Sequence, residues 1–109
     1  MVGIVAGLKQ ERAVKHAYIA TIDVNPEDLD TLMAALLSHR ERSLANEPGT
    51  LQFEIMRPSN GDGQIGLFQI YSDRAAFDAH QSGESIAQVR RETQGIQLIL
   101  HVSHFDVMT

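Results

Sequence analysis

The chain has 109 residues, is 43% hydrophobic and 21% charged, and carries a formal net charge of −5 with neither Cys nor Trp. That length suits one domain: surface scaling of roughly 6,000 Å² folded against roughly 17,500 Å² unfolded buries about 65% of the surface, enough for a core without staples. The missing cysteine excludes disulfides, thiolate metal sites and thiol nucleophiles, and the scattered Lys and Arg of an acidic chain argue against nucleic acid and anionic membrane as partners.

Residues 1–15 form a leader or an extra strand that frays or docks on a partner chain. Their apolar start, Met1 to Leu8, lacks the basic flank, long apolar core and cleavage site of a secretory signal, and no stretch of the chain approaches the ~18 apolar residues of a membrane span. A cytoplasmic location is expected.

Residues 16–109 are the domain. His16 to Val24 is β-branched and aromatic, which predicts a strand. Asn25-Pro26-Glu27-Asp28 then starts a helix: Asn accepts from free N–H groups, Pro suits the first helical position and the acids favour the positive end of the dipole. Leu29, Leu32, Met33, Leu36, Leu37, Arg40 and Leu44 recur at helical spacing, and Asn46-Glu47-Pro48-Gly49 ends the run. Thr50 to Arg57 alternates, with Leu51, Phe53 and Ile55 on one face. A turn-rich loop, Pro58 to Gly63, joins it to a second strand from Gln64 to Tyr71, predicting a hairpin. Ser72 or Asp73 caps a second helix through Phe77 and His80. This helix breaks near Gly83 and resumes from Glu84 to about Thr93, before a long strand from Ile96 to Val107.

The order β-α-β-β-α-β is the ferredoxin-like α+β arrangement, a four-stranded antiparallel sheet with helices on one face. The last strand is apolar on both faces, with Ile96, Leu98, Leu100 and Val102 on one and Ile99, Phe105 and Val107 on the other. Burial on both sides predicts a homodimer packed sheet to sheet.

The candidates for chemistry are few. Gly61-Asp62-Gly63 reads as a turn rather than a phosphate loop. His101 and His104, three apart on a strand, point to opposite faces and cannot share an ion. Glu54, Asp73 and Asp78 lie on separate elements. Phe77 and His80, at i and i+3, share a helix face. His80 is therefore either a core histidine satisfied by one hydrogen bond or a proton-moving group at a pocket rim, and Tyr71 is either a packing aromatic or a donor into that pocket. His16 and His39 are expected at the surface.

Glu47-Pro48-Gly49-Thr50-Leu51-Gln52-Phe53-Glu54, followed by Phe68 to His80 with its Ala76-Phe77-Asp78-Ala79-His80 helix, resembles the antibiotic biosynthesis monooxygenase family. The likeness runs from about His16 to Val107. It implies a dimeric α+β barrel of ferredoxin-like protomers with a substrate pocket between sheet and helices, and, in several members, oxidation of quinol-like or phenolic substrates by O₂ without metal or flavin. Two departures stand out: Ser85 and Ile86 replace a His-Phe pair common after the helix His, and Tyr71 replaces a strand-end Trp. A chain without Trp is a poor match to the haem-degrading branch.

The leading reading is a cofactor-independent monooxygenase acting on a small phenol or quinol. His80 serves as base or shuttle, Tyr71 as hydrogen-bond partner, and Phe53, Phe68 and Phe77 as apolar walls, with no cofactor and no metal. A non-oxidative isomerase on the same scaffold and a non-catalytic dimeric binding or stress-associated protein are the alternatives.

Overall fold

The computed structural model describes residues 14–61 and 63–109. Most of the N-terminal leader therefore lies outside the described residues.

The strands are β1 (His16–Val24), β2 (Thr50–Met56), β3 (Gln64–Tyr71) and β4 (Leu98–Asp106), and the helices are α1 (Leu29–Asn46), α2 (Arg74–Gln81) and α3 (Glu84–Glu92). All strand pairs are antiparallel, in the order β2-β3-β1-β4, which is the ferredoxin-like sheet. Two details differ from the sequence expectation. Asn25 makes no side-chain cap, and the chain enters α1 through a single 3₁₀ turn at Pro26–Asp28. The register of β2 shifts between Thr50 and Gln52, so Thr50 faces Tyr71 and Leu51 falls out of the alternation, 47% exposed instead of buried beside Phe53.

The side-chain period of two sorts the sheet into a covered and an open face. Tyr18, Ala20, Ile22 and Val24 of β1, with Ile65, Leu67 and Tyr71 of β3 and Phe53 of β2, are buried against Leu32 and Leu36 of α1 and Phe77 of α2. The helices do not extend over β4, all nine residues of which are exposed. On the open face, Ile19, Ile99, Phe105 and Met56 are between 37% and 61% exposed. No helix among the described residues is long and apolar enough to cross a membrane.

Candidate active site

Helix α1 buries a different stripe from the one its leucines suggest. Leu32, Ala35, Leu36, His39 and Ser43 face inward, whereas Leu37 and Leu44 are 48% and 37% exposed. The inner stripe keeps the helical spacing but turns polar after Leu36, so His39 is carried into the interior and is 1% exposed. This corrects its expected surface position.

Glu47 reaches the same place from the end of that helix. Its N–H bonds to the Ser43 carbonyl at 3.0 Å and its own carbonyl accepts from Thr50 N–H at 3.0 Å, which closes the Glu-Pro-Gly segment into a turn. Gly49 is required there by close approach: a Cβ would lie 2.5 Å from the Ala76 Cβ, so only glycine lets α2 rest on the turn. Asp73 starts α2 by accepting from Ala76 N–H at 2.8 Å. Phe77 and His80, one helical step apart, are its buried residues. The chain then breaks at Ser82–Gly83, and Ser85 falls in the first turn of α3.

Four elements thus converge on one buried polar chain. His80 Nδ1 lies 2.7 Å from Glu47 Oε1, which also accepts from Thr50 Oγ1 at 2.8 Å. His80 Nε2 faces His39 Nε2 at 3.2 Å, and His39 Nδ1 faces Ser85 Oγ at 2.8 Å. Arg42 closes the far end, donating from Nε to Ser85 Oγ at 2.8 Å and from Nη2 to the Ser85 carbonyl at 3.1 Å. His80 is 2% exposed, while the Glu47 side chain keeps 24% of its surface. Burial, then the neighbouring His80, pull the His39 pKa down to about 4; Glu47 opposes this and Arg42 adds a smaller downward push. His39 is therefore a neutral imidazole at neutral pH.

The expected site residues separate into two groups. Tyr71 packs its ring 5.2 Å from that of His80, Phe53 lies 5.4 Å from His39, and Phe77 lies 5.4 Å from Tyr71, measured between ring centroids. Phe68 points to the other side of the sheet, because it alternates with the buried Leu67 and Gln69. The Tyr71 hydroxyl donates to Gln69 Oε1, and burial, followed by the nearby Glu47 charge, raises its pKa further above the ordinary tyrosine value.

Two clefts meet at Glu47. One, of about 210 Å³, is lined by Glu47, Pro48, Gly49, Thr50, Ala76 and His80 among others. The second, of about 360 Å³, runs past Arg42, Glu47, Gly83 and Ser85. Tyr71, Phe53, Phe68 and Phe77 line neither. A larger hollow of about 650 Å³ between the ends of β1 and β4 presents Asp23 as its one ionisable side chain, so it lacks the acid–base equipment of the helix side.

A second imidazole pair lies on the covered face. His16 Nε2 is 2.9 Å from His104 Nδ1, and the His16 ring stands 5.2 Å from that of Phe77. His16 is 4% exposed, again not the surface residue expected, and burial followed by the His104 charge lowers its pKa. His101 is on the opposite face, 3.2 Å from Asp23 Oδ2, so His101 and His104 do diverge. Among the described residues no group of three His, Cys, Asp or Glu is placed to hold a metal ion.

The profile of the antibiotic biosynthesis monooxygenase family matches residues 16–92, which span β1 through α3 and include every member of the polar chain. The chain belongs to the antibiotic biosynthesis monooxygenase family. Solved structures agree with the fold. A Caulobacter crescentus protein named as a candidate antibiotic biosynthesis monooxygenase superposes with a TM-score of 0.82 at 16% identity, over 95% of this chain and 99% of that one. A Nitrosomonas europaea protein of the same description gives 0.80 at 16% identity, over 89% and 93%. One from Bacteroides thetaiotaomicron gives 0.74 at 22% identity, over 88% and 90%. No curated protein matches the chain in sequence.

Within the family pattern, the structure places Glu47 of the Glu-Pro-Gly entry and His80 of the Ala-Phe-x-x-His helix in direct contact. Sequence reasoning missed Glu47, His39 and Arg42 as members of the site. His39 was legible as the i+3 position from Leu36 and i+4 from Ala35, a continuation of the inner stripe obscured by the brighter leucine pattern. Ser85, at the position noted as a departure, is bonded to His39.

Proposed function

We propose that this protein is a cofactor-independent monooxygenase that oxidises a small phenolic or quinol substrate with O₂. The observation that carries the reading is the His80–Glu47 pair at the edge of a cleft, with the histidine buried and the carboxylate partly open. Such a pair can take a proton from an acidic O–H in a site largely screened from water. The resulting phenolate is electron-rich enough to reduce O₂ by one electron. Recombination of the two forms a carbon–oxygen bond, and loss of water leaves the oxidised product. The protein's part is to hold the substrate, accept the proton and exclude water. Family membership supports a general monooxygenase-like activity; the phenolic substrate is our extension of it.

In this reading Tyr71 is a positioning residue, since its ring backs His80 and its hydroxyl is engaged by Gln69. The working unit is a cytoplasmic homodimer joined through the open sheet faces, supported by the exposed Ile19, Ile99, Phe105 and Met56. Oxygen-electrode assays of metal-free protein against a panel of hydroquinones test the proposal. Uptake of O₂ above the autoxidation rate, lost in His80→Ala, is the expected result. No uptake with any of the panel overturns it, and substrate turnover without O₂ would point instead to an isomerase.

A further inference from the structure

The buried chain has a direction, and that direction assigns roles. Arg42 is the one member that can only donate. Its Nε–H occupies one of the two lone pairs of Ser85 Oγ and its Nη2 holds the Ser85 carbonyl, which leaves the Ser85 hydroxyl proton free to point at His39 Nδ1, where Ser43 Oγ also lies at 3.5 Å. His39, accepting at Nδ1, then carries its proton on Nε2 and donates to His80 Nε2. His80, accepting at Nε2, carries its proton on Nδ1 and donates to Glu47 Oε1, where the Thr50 hydroxyl donates as well. Each contact from Arg42 to Glu47 has one donor and one acceptor in this arrangement.

Both nitrogens of His80 are therefore occupied, and neither is free for a substrate. Glu47 Oε2 has no hydrogen-bond partner among the described residues, and Glu47 borders both clefts. We propose that Glu47 is the catalytic base of this site, and that Arg42, Ser85, His39 and His80 are positioning residues forming a polarised hydrogen-bond chain that holds its carboxylate in place. This deepens the oxygenase reading above and rests on it for the identity of the substrate. In the step itself the substrate O–H bond breaks, an Oε2–H bond forms on Glu47, and the electron pair stays on the substrate oxygen. The negative charge moves from Glu47 to the phenolate, and His80 keeps its proton throughout. The groups facing the imidazole pair are Arg42, Ser43 and Glu47 from α1 and its end, Ser85 from α3 and Tyr71 from β3, and no other cation bonds to the chain among the described residues.

Two measurements on the full chain test this. The first reads tautomers by ¹⁵N NMR of the histidine rings near neutral pH. His80 protonated on Nδ1 and His39 on Nε2 are expected, with Ser85→Ala giving mixed tautomers and Ser85→Thr restoring the wild-type pattern. A proton on His80 Nε2 in the wild type overturns the polarised chain. The second follows oxidation of 1,4-naphthohydroquinone. Glu47→Gln keeps the shape of the side chain and is expected to lower kcat by about 100-fold or more. Ser85→Ala is expected to lower kcat by about tenfold with KM within about twofold of wild type. Full activity in Glu47→Gln overturns its role as base. Should the wild type itself be inactive, the oxygenase reading fails, and the tautomer pattern alone then decides the chain.

Discussion

His80 Nδ1 and Glu47 Oε1 stand 2.7 Å apart, joining residues separated by 33 positions in sequence. One arrives on the second turn of α2 and the other at the end of α1, and the Gly49–Ala76 contact is what lets the two segments close on each other. A 2%-exposed imidazole facing a carboxylate is a costly arrangement to break from one side only, because the remaining partner is left without compensation. The turn, the helix contact and the pair are one structural unit.

The glycine is the simplest point of attack. Gly49→Ala places a methyl group 2.5 Å from the Ala76 Cβ, so α2 and the turn must separate. Overpacking of this kind costs about 1–3 kcal/mol. Thermal or urea unfolding should show that loss together with reduced activity. A Gly49→Ala protein as stable as wild type would mean the close approach is relieved without strain.

Acid stability follows from His39. Its pKa is about 4 in the fold against an ordinary 6.5. Well above pH 6.5 the residue is neutral both folded and unfolded and contributes no pH dependence. As pH falls from 6.5 toward 4, the unfolded chain binds a proton that the folded chain refuses, and stability is lost, with a ceiling on the order of 3 kcal/mol. His16, whose pKa is also lowered, adds in the same direction. Urea unfolding at about pH 7.5 and about pH 5 should show a loss that shrinks in His39→Gln. Equal losses in both proteins would remove His39 as the source.

Tyr71→Phe separates packing from chemistry. The ring stays against His80 while the hydroxyl on Gln69 is lost, leaving a 3%-exposed amide short of a donor. A cost of about 1–2 kcal/mol is expected, with turnover within about threefold of wild type. A far larger fall in kcat at unchanged stability would show the hydroxyl acting on the substrate.

The open sheet face can be tested by charge. Ile99 and Phe105 are 61% and 53% exposed on the strand that no helix covers. Sedimentation should find wild-type dimers and monomers for the Ile99→Lys, Phe105→Lys double variant, since an ammonium group is costly to bury unpaired in an apolar contact. Dimers in both proteins would place the interface elsewhere.

The strand and helix order was legible in the sequence because it depends on local periodicity, turn residues and breakers. The strand from Gln64 to Tyr71, the stop at Asn46 to Gly49 and the break near Gly83 all appear as read. The split of His101 and His104 to opposite faces follows equally from the two-residue period of a strand. Other features had no such signal. The irregularity that removes Leu51 from the inner face depends on the pairing of β2 with β3, and no single strand records its own register. The helical phase that buries His39 and Ser43 while exposing Leu37 and Leu44 depends on which side of α1 meets the sheet and α3.

By itself, the amino-acid sequence determined one acidic α+β domain, the order of its elements and His80 as a residue on the inner side of a helix. Only the tertiary structure decided that His80 is joined to Glu47, His39, Ser85 and Arg42, and that Glu47 borders both clefts while His80 borders the smaller one. The physical reason is range. Periodicity and capping act over a few residues, whereas a buried hydrogen-bond chain joins groups from four distant segments.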